Sequence, residues 1–302
     1  MDKIALGVAW NWEFDKDFVD GIESECTRRR LSFYRVEPHN VSETLHLLRT
    51  GKISFTTFFD RASDAGEEFE PLARFIAKSE SHVINSYDHV HHAADKATMH
   101  LEFITAGLQV PYTTIISPYN KKHEMELTLS ELSRLGRPFI IKPANTTGGG
   151  TGVVTGAESL KDIIETRQHH KNDKYLLQEK IIPVVMEGSI GWFRPLYAFG
   201  RIFPCWWNHE SHVYKELSED EEKHFGLSPL RNVMNKIKDI CKLDFFSSEI
   251  ALTDVGKFVV VDYVNEICDM RLQSKHPDGV PNPVVHEIQR QVVLRAEANL
   301  AA

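Results

Sequence analysis

Between residues 4 and 85, short apolar runs alternate with amphipathic stretches, and that order leaves few architectures open. Ile4–Ala9, Ser32–Val36, Ile53–Phe59 and His82–Asn85 have strand length; Phe18–Arg30, Ser42–Arg49 and Glu67–Ala77 have helix length. A βαβαβαβ order predicts an α/β unit, a Rossmann-like parallel sheet with helices on its faces. Ligands meet such sheets at the carboxyl ends of the strands. Trp10-Asn11-Trp12 and Asp60-Arg61 stand at two of those ends, as substrate contacts or as ordinary rim residues.

A helix follows, with Asp95 as an acidic N-cap, Gly107 as its stop and Pro111 beyond. Lys96 falls in its first turn, where the helix dipole disfavours a cation unless an anion is near. Thr113–Ile116, Glu124–Leu135, Phe139–Lys142, Gly152–Val154 and Ser159–Gln168 read as strand, helix, strand, strand and helix. They predict a second α/β unit with antiparallel strands. Within it, the strand ending at Lys142 opens into Thr146-Thr147-Gly148-Gly149-Gly150-Thr151-Gly152. Glycines let backbone N–H groups approach an anion with no Cβ in the way, threonines add hydroxyl donors, and Lys142 fixes a positive charge. The same composition also suits a hairpin tip. It is not a P-loop, because no Gly-Lys-Ser/Thr follows, and Gly150, Gly152 and Gly156 are spaced one residue too far for the dinucleotide fingerprint. The buried run Tyr175–Ile181 ends in polar residues suited to an adenine edge and a ribose, with Glu179 and Glu187 as the polar candidates.

The third portion predicts strands over Gly191–Ala198 and Arg201–Trp207, a solvated acidic patch at Ser218–Lys223 and a helix at Pro229–Cys241. Then comes a hairpin, Phe245–Glu266. A turn centred between Val255 and Gly256 sets Glu249 opposite Asp262, with Cβ atoms about 5 Å apart. Facing carboxylates repel, and a divalent cation resolves the repulsion; magnesium favours a few carboxylate oxygens together with substrate phosphates. The alternative is a shifted register with both groups solvated. Against it, Asp262 interrupts the apolar run Phe258–Val261, where an uncompensated charge is costly.

Composition narrows the function classes. The 302 residues suggest about two domains, and a net charge of -8 with pI near 6.0 disfavours nucleic acid as the main partner. Cys26, Cys205, Cys241 and Cys268 form no CxxC pair, which argues against zinc and disulfide frameworks and for a reducing cytoplasm. No apolar run reaches membrane-spanning length, so no membrane association is expected. Asp88-His89-Val90-His91-His92 lacks the helical His/Glu spacing of a zinc hydrolase and reads as a domain junction, and His169-His170 as surface.

The order Asp95-Lys96, Ala106-Gly107-Leu108-Gln109-Val110-Pro111-Tyr112-Thr113, Lys142 with its glycine loop, Gln178-Glu179, Arg194, Glu249, and Asp262 with Asn265 resembles the ATP-grasp superfamily over most of the chain. The resemblance implies a preceding α/β domain at 1–94, a glycine-loop subdomain at 95–177 and a metal-bearing subdomain at 178–302. It implies ATP with Mg2+ as its ion, or Mn2+. Lys96 and Lys142 would contact phosphates, Thr147, Gly148, Gly149, Gly150, Thr151 and Gly152 would close over them, and Gln178, Glu179, Lys180 and Ile181 would receive adenine. Arg194 would approach the γ-phosphate, and Glu249, Asp262 and Asn265 would hold the metal. Arg271 is a plausible clamp for a substrate carboxylate, because guanidinium can bind it through two parallel hydrogen bonds; His212 and Lys215 lie in a polar loop within possible reach of substrate.

One departure matters. The family usually carries Glu-x-Asn on this strand, whereas Asp262-Tyr263-Val264-Asn265 puts its asparagine an odd number of residues away. A bulge after Asp262 would restore the alignment; otherwise Glu266 or water substitutes. Asp262 is also a methylene shorter than the usual glutamate, favouring monodentate binding. The implied activity is ligation of a small-molecule carboxylate to an amine through an acylphosphate. The alternatives are a small-molecule kinase and a non-catalytic ATP-binding regulator. A homodimer is compatible with the sequence, which does not set the oligomeric state.

Overall fold

The structure, a computed structural model, describes residues 2–125, 127–145 and 151–301. The first layer is the expected parallel sheet, in the order β2-β1-β3-β4: β1 Asp2–Trp10, β2 Phe33–Val36, β3 Ile53–Arg61 and β4 His82–Ile84. Helix α1, Lys16–Arg28, turns Phe18, Val19, Ile22 and Cys26 inward, one face of a 3.6-residue period. Helices α2 (Val41–Arg49) and α3 (Glu70–Ile76) complete the alternation.

The junction histidines fall in a helix, α4 (Tyr87–Ala94), capped by the Ser86 hydroxyl. Helix α5, Lys96–Thr105, then starts where Asp95 accepts from the Ala97 and Thr98 N–H groups. The second layer is an antiparallel sheet in the order β5-β8-β6-β7, built from β5 Thr113–Ile116, β6 Phe139–Pro143, β7 Val154–Ala157 and β8 Tyr175–Glu179. Its helices are α6, Leu129–Leu135, and α7, Leu160–Thr166. Helix α6 starts later than the expected Glu124, because Thr128 and Glu131 close a reciprocal capping box there. Strand β7 starts later than the expected Gly152, which lies at φ 77°, outside strand geometry.

A hairpin of β9 (Val185–Met186) and β10 (Ser189–Ile190) leads into the third layer. This larger sheet contains β11 Trp192–Phe193, β12 Leu196–Ala198, β13 Arg201–Phe203, β14 Cys205–Trp207, β15 Tyr214–Glu216, β16 Phe245–Leu252 and β17 Phe258–Asn265. The acidic patch at Ser218 forms a short helix, α8 (Glu219–His224). Ser218 and Glu221 make a capping box, and the acids of its first turn complement the dipole. Helix α9, Pro229–Cys241, buries Leu230, Met234, Ile237 and Cys241 behind β17.

No expectation above covers α10, Asn282–Ala301. It crosses back to pack Val284, Val285, Ile288, Val292, Val293 and Ala296 into the core shared with β1, β3 and α1. A Cβ on Gly21 would lie 2.0 Å from Gln289 Nε2, so α1 and α10 meet only because that position is glycine. A second tie is ionic. Arg61 and Asp15, each with a side chain 1% exposed, form two hydrogen bonds of 2.8 and 2.6 Å. Arg61 also donates to the Cys268 carbonyl at 2.8 Å, with Phe18 and Phe59 beside its guanidinium. Among the described residues no helix is long and apolar enough to cross a membrane.

Candidate functional site

The hairpin β16–β17 carries the candidate carboxylates, and its register is set by two irregularities. From the turn outward Leu252 pairs with Phe258, Ala251 with Val259 and Ile250 with Val260, so the turn is centred on Val255. Val261 is then passed over, and Glu249 meets Asp262. The expected pairing is present, reached through a bulge and not through the turn centre inferred from sequence. A second irregularity sets Tyr263 and Val264 against Ser248 and brings Ser247 opposite Asn265. Tyr263 and Val264 are buried, while Asp262 and Asn265 are only half-buried. The odd spacing is thereby absorbed by a bulge, which re-aims side chains along a strand.

Three separate parts of the chain deliver cations to these groups. Lys96, at the start of α5, and Lys142, near the end of β6, bring their ammonium groups to 3.5 and 3.8 Å from Asp262 Oδ1. Lys142 Nζ also donates to the Val261 carbonyl at 2.9 Å. Arg194, between β11 and β12, donates to Glu249 Oε1 at 3.1 Å, and its guanidinium lies 4.8 Å from the Trp207 ring. Trp192 Nε1 donates to Glu249 Oε2 at 3.3 Å. With the Asn265 amide turned to satisfy both its ends, its oxygen accepts from Arg194 Nη2 at 2.6 Å and its nitrogen donates to the Ile267 carbonyl at 3.1 Å.

The electrostatics follow from crowding. Burial pushes the Lys142 ammonium down to about 8, with Lys96 adding to the fall and Asp262 opposing it. Burial also opposes the charge on Asp262, but Lys96, Lys142 and Arg194 outweigh it and hold the carboxyl at about 2. Arg194 loses solvation too, yet Tyr214, Glu249 and Asp262 keep its pKa above the ordinary arginine value.

As metal ligands, Glu249, Asp262 and Asn265 offer only oxygen, which suits a hard cation. Asp262 is 33% exposed and its lysines stand at 3.5 and 3.8 Å, a loose pairing that leaves the carboxylate accessible to a further partner. Among the described residues no group of three or more His, Cys, Asp or Glu side chains is placed to hold a metal ion. Two carboxylates and an amide therefore fit an ion that completes its shell with phosphate oxygens and water.

The other expected residues are more dispersed. Thr147, Gly148, Gly149 and Gly150 lie outside the described residues. Thr151 is exposed, and Gly152 packs beside the His170 ring. Glu179 and Tyr112 bond twice, through Glu179 Oε1 to the Tyr112 N–H at 2.6 Å and the Glu179 N–H to the Tyr112 carbonyl at 2.9 Å. Glu179, Lys180 and Ile181 line a cavity of about 370 Å³ with Gln109, Val110 and the hairpin turn. A larger one, of about 480 Å³, lies by α9 and Gly107; neither lining includes Lys96, Lys142, Arg194, Glu249 or Asp262.

The Gln178 side chain points inward, donating to Tyr263 Oη at 2.6 Å and Thr113 Oγ1 at 2.9 Å, and its backbone lies in the sheet between Thr113 and Ile140. Glu187 sits on the exposed β9–β10 turn, 2.9 Å from His224. Arg271 spends its fork on Asp269 and Asp278, at 2.7 and 2.8 Å, with the Trp12 and Phe14 rings nearby. Lys215 pairs with Glu221 at 2.6 Å, whereas His212 stacks on Trp207. Sequence reasoning missed Trp192, Trp207 and His209, whose ring stacks on Trp192. It also missed Tyr263 and His100, although Tyr263 is one of the two residues that break the usual spacing.

No protein-family model and no curated protein matches the sequence. Solved structures do. A RimK-domain ATP-grasp protein from Sphaerobacter thermophilus is 16% identical, with TM-score 0.61, covering 94% of this chain and 97% of that one. D-alanine–D-alanine ligase from Bacillus anthracis, in complex with ATP, is 13% identical, with TM-score 0.64, covering 100% and 98%. The VanG D-Ala:D-Ser ligase of Enterococcus faecalis is 12% identical, with TM-score 0.63, covering 98% and 99%. The chain has the ATP-grasp fold.

Proposed function

We propose that this protein is an ATP- and Mg2+-dependent ligase that activates a small-molecule carboxylate as an acylphosphate and joins it to an amine. One observation carries the reading: Lys96 and Lys142, from separate elements, converge on Asp262, which pairs across the hairpin with the Glu249 that holds Arg194. Three cations around two carboxylates suit a metal–triphosphate, whose charge they would neutralise. The ligases of the same fold, one bound to ATP, support this assignment.

Phosphoryl transfer needs mainly positioning and charge stabilisation. Lys96 and Lys142 would hold the phosphates, with the glycine loop above them, and Arg194 would stabilise charge on the equatorial oxygens. Glu249, Asp262 and Asn265 would hold Mg2+ or Mn2+, which supplies charge neutralisation between phosphates. The segment Gln178 to Ile181, where the chain leaves β8, would receive adenine. Arg271 would engage a substrate carboxylate only by giving up Asp269 or Asp278. The division at 1–94, 95–177 and 178–302 is retained as the working layout, with α10 returning to the first part.

The test is ADP release with ATP, magnesium and pooled carboxylates and amines. Release that requires both pools, with a condensed product, supports ligation. A stable phosphorylated product with no condensation makes the protein a kinase; tight ATP binding without ADP makes it a regulator. Lys142→Ala is expected to weaken ATP binding roughly tenfold to a hundredfold, as loss of a charge-assisted contact implies. Unchanged affinity in calorimetry would remove Lys142 from the site.

A further inference from the structure

The bulge that brings Asn265 into place leaves Tyr263 pointing away from the carboxylates and into the seam between the second and third layers. Its hydroxyl meets His100 Nδ1 of α5 at 2.6 Å and accepts from Gln178 Nε2 of β8 at 2.6 Å. Its ring lies 5.2 Å from the Lys142 ammonium and meets the edge of Phe103 at 5.3 Å. Both Tyr263 and Phe103 are fully buried. One side chain, next in sequence to Asp262, thus touches the helix that begins with Lys96, the strand proposed to receive adenine, and Lys142 itself.

We propose that Tyr263 is a positioning residue of the nucleotide site, its ring setting the Lys142 ammonium over the phosphates and its hydroxyl locking β8 against the metal-bearing strand. The inference rests on the nucleotide reading above. It gives Tyr263 a task in two halves, one for its ring and one for its hydroxyl. The two halves of that task are chemically separable. A hydroxyl with two buried partners fixes one strand to another and acts on the whole nucleotide. A ring face near an ammonium acts on the cation alone, and so on the phosphates alone.

The experiment compares ATP and adenosine binding by calorimetry in wild type, Tyr263→Phe and Tyr263→Met, with thermal unfolding alongside. Tyr263→Phe keeps the ring, and it is expected to weaken ATP and adenosine by the same factor, about fivefold for a lost buried hydrogen-bond link. Tyr263→Met fills similar volume without a ring, and relative to Tyr263→Phe it is expected to weaken ATP a further roughly fivefold while leaving adenosine unchanged. A merely structural tyrosine would lower the melting temperature in both variants without separating the two ligands. Equal ATP affinities in the Phe and Met variants, or adenosine falling alongside ATP between them, would overturn the ring's role. Should Tyr263→Met fail to fold, Gln178→Leu tests the link from the other strand. It must reproduce the Phe variant, and the double variant must add nothing; additive losses overturn the link. Wild-type protein that binds no ATP would instead sink the nucleotide reading itself.

Discussion

Two ion-paired clusters, both built from arginine or lysine against carboxylates, differ in whether they are finished. Asp15 and Arg61 are closed off from solvent and bonded at 2.6 and 2.8 Å in parallel, with the Phe18 and Phe59 rings beside the guanidinium. Asp262 keeps 33% of its side chain exposed and holds its two lysines at 3.5 and 3.8 Å. The first pair has good hydrogen-bond geometry and is sealed from solvent. The second has one cation in excess, with Lys96 and Lys142 facing Asp262, and is loose in geometry, which is what a site awaiting a polyvalent anion requires. Distance, access and that excess charge separate a fastening from a binding site.

That contrast can be broken from either side. Asp15→Ala strands a buried guanidinium, and unfolding by denaturant should show a loss of roughly 3–5 kcal/mol; a loss under 1 kcal/mol would mean the cluster is not a fastening. Asp262→Asn should leave the melting temperature nearly unmoved while magnesium-dependent turnover drops on the order of a hundredfold, the scale of lost charge stabilisation in phosphoryl transfer. Wild-type turnover in that variant removes Asp262 from the metal site.

His100 sharpens the comparison as a buried base kept neutral. Burial, with Lys142 nearby, pushes its pKa from 6.5 down to about 4. The unfolded chain therefore binds more protons than the folded one between these values. Stability is full above pH 6.5 and is lost as pH falls towards 4, by about 2 kcal/mol at pH 5. Urea titrations at pH 7 and 5 should show this loss in wild type and a smaller one in His100→Gln; equal losses would exclude His100 as the source. The smallest effect belongs to the exposed Glu187–His224 pair. Glu187→Ala should change stability by less than about 0.5 kcal/mol and ATP affinity by less than about twofold; a tenfold loss of ATP binding would restore Glu187 to the nucleotide site.

Much of this was legible in the sequence where local rules act. The alternation of residues 4–85 gave the parallel sheet, the Asp95 cap gave the start of α5, and Asp262 amid valines marked a charge with a purpose. What escaped depends on packing at long range. Helix α10 is recognised by the surface it covers, since its own pattern has little one-sidedness and its partners lie some 270 positions earlier, as in Gln289 to Phe18. The hairpin pairing was legible, but not its route, because a bulge at Val261 is a property of two strands together. Tyr263 is illegible for the same reason: the odd spacing concerns Asn265, while the partners of Tyr263, His100 and Gln178, come from separate elements.

The return of α10 also bears on how the molecule is made. Until Asn282–Ala301 has been synthesised, the apolar surfaces of α1 and the first sheet that it covers have nothing to rest on. A growing polypeptide therefore cannot complete the first layer before α10 has followed it. Contacts between such distant positions are slow to form, so a nascent chain exposes that unfinished face until α10 emerges.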